Sequence, residues 1–163
     1  MASIDTTKTY LALDEETLQP VIEALQLTLV NTIFMQQLYK KYHWHVAGED
    51  FYQYHLLFDK HAGEQLPIID ALAERIRTLG GTVAAMPADV AKLASLKEGK
   101  DVGHKPQDMV ESLLAAHQAY IEQLHRAVAV ADDADDEGTE DLLVSEALRV
   151  HELQLWFLRS SIG

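Results

Sequence analysis

YHWHVAGEDFYQYHLLFDKHAGEQLPIIDALAERIRTLGG, residues 42–81, is the stretch on which the fold and the chemistry turn. It holds four of the eight histidines, His43, His45, His55 and His61, and two pairs at helical spacing, His55/Asp59 and Asp70/Glu74. Nitrogen and oxygen donors of this kind suit a hard or borderline metal such as iron, manganese or zinc. The residues from Phe51 to Leu79 read as one helix, with Asp50 placed as N-cap after a break at 47–50 and Gly80-Gly81 as the stop. Gly63 and Pro67 are both unfavourable inside a helix, so either the helix bends there or the packing has a special need at that point.

Outward from this stretch the same periodicity recurs. Apolar residues Val21, Leu25, Leu29 and Ile33, with Leu18, Ile22 and Val30, predict an amphipathic helix from Asp14 through Tyr42 or beyond, its firm start set near Thr17 by Pro20. Met86-Pro87-Ala88-Asp89 opens a short helix ending near Leu96. A third long helix starts at Pro106 and runs to about Ala131, and a fourth runs from about Thr139 to Ser160. No strand-like alternation and no repeat is present. Four long helices with a long connection between the second and third describe an all-α, ferritin-like four-helix bundle with a short extra helix in the crossover. Residues 1–13 are assigned to a tail and 14–163 to one bundle domain.

The totals restrict the function. A chain of 163 residues with 48% hydrophobic residues is one domain with a sizeable core. Cysteine is absent, which excludes disulfides, iron–sulfur clusters and thiolate zinc sites and fits a reducing compartment. The first sixteen residues lack the basic and apolar regions of a signal peptide, and no run of eighteen apolar residues suggests a membrane span, so a soluble cytoplasmic protein is expected. The net charge of −13 disfavours DNA and anionic membranes and favours cations.

On a wheel of about 100° per residue with Asp59 at zero, His55 falls near −40°, Asp70 near 20°, Gly63 near 40° and Glu74 near 60°, while His61 lies near 200° on the far side. Four candidate ligands thus share one face but not one place, since Asp59 and Glu74 are separated by about 22 Å along a straight helix. An antiparallel pairing of this helix with its copy across a two-fold axis would bring His55/Asp59 of one chain to Asp70/Glu74 of the other. The crossing would fall near residues 64 and 65, where Gly63 permits close approach, giving an isologous dimer with two equivalent sites.

The run His43-Trp44-x-Val46-x-Gly48-x-x-Phe51-x-x-x-His55-x-x-Phe58-Asp59, followed by Asp70-x-x-Ala73-Glu74-Arg75 and Leu79-Gly80-Gly81, resembles the Dps family, the miniferritins or DNA-binding proteins from starved cells. The likeness extends to His151-Glu152-x-x-x-Trp156-Phe157-Leu158-Arg159. It implies a shell of twelve identical subunits, built from two-fold dimers, that oxidises iron(II) and stores iron(III) mineral, generally with hydrogen peroxide rather than O2 as oxidant. It also implies His43, His55 and Asp59 of one subunit, with Asp70 and Glu74 of its neighbour, as the metal ligands; zinc or other divalent metals can occupy such a site. Trp44 corresponds to a tryptophan beside the iron, either an electron donor to stray oxidants or an interface packing residue.

Several residues depart from the minimal pattern. His45 or His61 is a candidate additional ligand. The run 132–141 holds seven acids in ten residues and is either a solvated loop or, by the resemblance, part of an acidic funnel for iron(II). Family members that bind DNA often do so through lysine-rich tails, whereas residues 1–20 here carry one lysine and four acids, so DNA binding is expected to be weak or absent. Two rival readings remain: an intrachain di-iron protein, for which only one Glu-x-x-His motif (Glu122 to His125) exists, and a non-catalytic structural or DNA-compacting assembly.

Overall fold

The computed structural model describes residues 11–98, 103 and 105–162, the side chain of Glu15 excepted. Its elements are α1 (Glu15–His45), α2 (Phe51–Thr78), α3 (Pro87–Leu93), α4 (Pro106–Asp133), α5 (Glu137–Leu142) and α6 (Arg149–Ile162), with a π-helical segment, Leu143–Leu148, joining the last two. The α5–α6 unit acts as one long helix, so α1, α2, α4 and this unit form a four-helix bundle. The fold is the expected one, down to the short helix in the crossover.

Local chemistry sets the boundaries. Asp14 caps α1 by accepting from the Glu16 amide at 3.2 Å, so the helix starts two residues before Thr17 and Pro20 lies just beyond its first turn. Asp50 occupies the N-cap position of α2, but its carboxylate takes the Gln53 side-chain amide at 2.8 Å instead of a backbone amide. The helix α2 is continuous through Gly63 and Pro67. It ends in a Schellman motif: Gly81 N–H reaches Ile76 O and Gly80 N–H reaches Arg77 O, with Gly80 at φ +88°. A Cβ on Gly81 would meet Ile22 Cγ2 at 2.8 Å and Ile76 Cγ2 at 2.9 Å, so the turn needs glycine for space as well as for conformation.

Two side chains of α1 hold the crossover against it. Gln26 donates to Ala84 O at 2.6 Å and accepts from Ala84 N at 2.9 Å, and Asn31 Oδ1 accepts from Ser95 N and Leu96 N. The acidic run does not behave as one solvated loop. Asp136 is buried, accepts from Arg75 Nη2 at 2.5 Å on α2, and caps α5 through Thr139 N–H at 3.0 Å. This single acid therefore ties the end of α2 to the start of the fourth helix, and losing one partner of such a buried pair typically costs about 3–5 kcal/mol.

The core is largely apolar, with Leu25, Leu29, Met35, Phe58, Leu72, Ile76, Met109 and Leu113 fully buried. It also encloses polar groups: His61, Gln65, His117, Tyr120, His151 and Gln154 are all buried. Within α1, residues 16–45 contain an eighteen-residue window of mean hydropathy 1.2, apolar enough for a membrane span; half of that window is buried inside the bundle, as a core helix requires.

Burial lowers the His61 pKa to about 4 and that of His151 to about 3, and it drives His117 well below the ordinary value. These imidazoles stay neutral in the fold but take up protons once unfolded. Their contribution to stability is complete above the unfolded value of about 6.5 and is lost as pH falls from there towards the folded values. His151→Gln is expected to flatten the fall of stability by about 1.4 kcal/mol per pH unit between about pH 5.5 and pH 4. Urea midpoints across that range check it; an unchanged slope contradicts it.

Candidate metal centre

The last turn of α1 and the first turns of α2 lie side by side because residues 46–50 join them tightly. This brings His43 and His55 together although they are twelve residues apart. The two rings stack at 3.7 Å between centroids and 22° between planes. Each points Nδ1 at the other's backbone: His43 Nδ1 donates to His55 O at 2.8 Å, and His55 Nδ1 donates to His43 O at 2.9 Å. A carbonyl only accepts, so both Nδ1 atoms carry a proton, which makes Nε2 the atom through which either ring, when neutral, presents a lone pair. Metal-binding imidazoles are oriented and fixed in tautomer by this kind of bond.

Asp59, one turn along α2 from His55, lies beside the two rings, with Oδ1 4.0 Å from His43 Nε2. The same oxygen accepts from Lys40 Nζ at 2.7 Å, and that hydrogen bond holds the Asp59 carboxyl below the usual carboxylate range. Lys40 also stands over the Trp44 ring at 5.6 Å. Trp44 itself is 67% exposed. Lys40 lies near the C-terminal end of α1, where positive charge is favoured, and at three residues before His43 it shares that candidate ligand's face, which is the sequence signal for its place here.

Asp70 and Glu74 do not join this cluster. Both are exposed further along α2, and among the described residues no group of three or more His, Cys, Asp or Glu side chains converges on a metal position. The same face carries open apolar residues, Tyr52 and Leu56 at the His55/Asp59 end and Leu66 between the two halves, at 68%, 48% and 58% exposure. A Cβ on Gly63 would touch nothing within 4 Å in its own chain, so the glycine has no intrachain steric reason.

The additional histidines separate cleanly. His61 is fully buried in the bundle and takes no part in this cluster. His45 is exposed and its Nδ1 donates to Lys41 O at 2.8 Å, one turn back. Glu122 and His125 are exposed on α4, so the single Glu-x-x-His motif does not face the bundle interior.

The ferritin-like domain family matches residues 22–163. DNA protection during starvation protein 1 of Deinococcus radiodurans is 32% identical over 152 residues, covering 91% of this chain and 71% of that protein. The structure of DpsC from Streptomyces coelicolor superposes with a TM-score of 0.90 at 41% identity, covering 99% of this chain and 96% of that one. A Dps protein from Vibrio cholerae O1, described as a member of a broad superfamily of ferritin-like diiron-carboxylate proteins, gives a TM-score of 0.89 at 26% identity over 99% of this chain and 100% of that one.

Lys40 holds the carboxylate that a cation would need. Removing it in Lys40→Met is expected to tighten binding of a divalent probe such as Co(II) by about two- to fivefold, the scale of one exposed ion pair. Anaerobic Co(II) titration followed by visible absorption checks this, and weaker binding in the variant contradicts it.

Proposed function

The chain belongs to the Dps family of ferritin-like proteins, and on that premise we propose that it is an iron-storing ferroxidase whose oxidation sites form between two copies. The observation that carries this reading is the incomplete cluster. His43 and His55 stand side by side with Asp59 near them, yet two imidazoles and one carboxylate would leave up to half the positions of a six-coordinate iron ion unfilled. Asp70 and Glu74 stand unused on the same face of α2. In an antiparallel α2–α2 pairing, Asp70 and Glu74 of the second copy would complete the set around each cluster. The open apolar stripe and the otherwise unexplained Gly63 support such a pairing.

Iron is the substrate and the cargo. Three carboxylates and two neutral imidazoles suit Fe(II) and Fe(III) alike while leaving room for an oxidant. With hydrogen peroxide, two Fe(II) each give up one electron, the O–O bond breaks, and two protons complete two waters, so no hydroxyl radical is released. O2 is the alternative oxidant, and zinc or another divalent metal would act as a competitor for the site. The two-fold dimers are building blocks of a closed, hollow shell, a dodecamer, located in the cytoplasm where the absence of cysteine is at home. Such a protein consumes peroxide and iron(II) together and so protects against oxidative stress. Trp44, beside His43 and under Lys40, is placed either to give an electron to a stray oxidant or to pack at the dimer interface.

Anaerobic Fe(II) loading followed by separate additions of peroxide and O2 reads the site stoichiometry and the oxidant. Mixed assemblies locate the ligands. In a random mixture of Asp59→Ala and Asp70→Ala chains, half of the dimers are mixed and each of these has one intact site. About a quarter of the wild-type rate should therefore return, although each variant alone is inactive. A mixture as inactive as its components would mean that each site lies within one chain. Residues 1–10 lie outside the described residues, so the expectation of weak DNA binding rests on charge, and a tight gel shift of plasmid near physiological salt would contradict it.

A further inference from the structure

Four buried groups, one from each long helix of the bundle, form a hydrogen-bonded chain that the metal cluster does not use. Tyr39 Oη on α1 lies 2.5 Å from His117 Nε2 on α4 and 3.2 Å from His61 Nδ1 on α2. His117 Nδ1 lies 3.1 Å from His151 Nδ1 on α6. All four residues have no solvent exposure. At both ends the chain stops: His61 Nε2 and His151 Nε2 are buried and have no hydrogen-bond partner.

The distances favour one order of donors along the chain. A hydroxyl donor makes the shorter contact and a ring N–H the longer one, so the single Tyr39 proton points at His117 Nε2 and His61 Nδ1–H points at the phenol oxygen. His117 then carries its own proton on Nδ1 and donates it to His151 Nδ1. Each link is ready to pass a proton in one direction, from Tyr39 to His117 and on to His151.

The geometry points to Tyr39 as a buried redox-active tyrosine that gives up an electron while its phenol proton moves to His117. The inference rests on the ferroxidase reading for its natural oxidant, a one-electron oxidant of the hydroxyl-radical class formed when iron(II) and peroxide react without pairing their electrons. The O–H bond of Tyr39 breaks, the proton goes to His117 Nε2, and the electron reduces the oxidant, which takes a proton from solvent to become water. A neutral phenoxyl radical remains. A further Fe(II) returns the electron, becoming Fe(III), and His117 returns the proton.

Three features suit Tyr39 to this role, and its imidazole partners set it apart from Tyr42, Tyr54 and Tyr120, whose hydroxyls meet Ser112, the Ser161 carbonyl and Thr32. Tyr39 precedes His43 by one helical turn, and its ring packs at 6.3 Å from Phe58, the neighbour of Asp59, so it lies close behind the metal cluster. Burial, and secondarily the nearby Glu64 charge, raises the Tyr39 pKa well above normal, so loss of a proton to water is closed and the imidazole is the available base. The phenol oxygen also keeps the His61 N–H bond after its own proton has left, which stabilises the radical.

Rapid-freeze electron paramagnetic resonance on the Fe(II)-loaded assembly after peroxide tests this, with iron oxidation followed in parallel. A second arm photo-oxidises the iron-free assembly with a ruthenium tris-bipyridine flash. The expected result is a phenoxyl signal in both arms, narrowed by ring-deuterated tyrosine and lost in Tyr39→Phe, with assembly size and circular dichroism confirming that the variant folds. In His117→Gln, which keeps Tyr39 but removes the proton acceptor, the signal should shift in its hydrogen-bond-sensitive g anisotropy and decay faster. The same signal in Tyr39→Phe as in wild type overturns the inference, and an unshifted, equally long-lived signal in His117→Gln overturns the role of His117. If wild type fails to oxidise iron, the ferroxidase reading falls alone and the flash arm still decides Tyr39. If iron is oxidised and neither arm shows a Tyr39-dependent signal, this inference falls alone.

Discussion

A helix rises about 1.5 Å per residue and cannot fold its own two ends together. That constraint governs how α2 is used. Its face carries ligand-type residues at His55, Asp59, Asp70 and Glu74, over a span that no single metal ion bridges. The short 46–50 connection lets α1 supply His43 at one end only. Among the described residues no helix covers that face at the other end, because α5 meets α2 through Arg75, off that face, and the crossover runs along α1. In the proposed dimer a second α2 covers this face and supplies the missing carboxylates, with the two helices crossing near Gly63.

Much of this was legible because it depends on residues near one another in sequence. The period of apolar residues gave four long helices, Gly80-Gly81 gave the end of α2, and Pro106 gave the start of α4. The pairing of His43 with His55 follows from a hairpin connection of five residues. The ligand types and their common face could be read from the spacing alone. What the spacing could not convey is the pair of Nδ1–carbonyl bonds, which depends on the angle between α1 and α2, or the use of Lys40 as a counter-charge for Asp59.

The residues misjudged or left open are those whose partners are distant. His61 fell on the far side of the wheel and was kept as a candidate ligand; that far side is the bundle interior, where its partner is Tyr39 on another helix. His117 and His151 gave no local signal, since a histidine on an apolar face is ambiguous until the registers of four helices are known. The π-helical segment Leu143–Leu148 alters the register of the fourth helix just before His151, and no composition rule marks it. Asp136 was one of seven acids in a run, and only its pairing with Arg75, sixty-one residues away, distinguishes it from its solvated neighbours.

Charge explains why one molecule can keep a histidine-rich centre and a histidine-rich surface cluster with different uses. The interior chain of His61, Tyr39, His117 and His151 is neutral and dry, and the depressed imidazole pKa values show that it resists positive charge. Glu64, at its edge, is engaged by Lys60 and Gln154 and is only partly buried. A dication placed among these groups would lack the anions that offset its desolvation. At the surface cluster the balance is reversed, because Asp59 is ionised, solvent is at hand, and two further carboxylates wait on the same helix. In the proposed ferroxidase it is the carboxylates, more than the imidazoles, that decide where a metal would go. The dry interior, without such anions, suits the neutral hydrogen-bonded chain inferred to serve Tyr39.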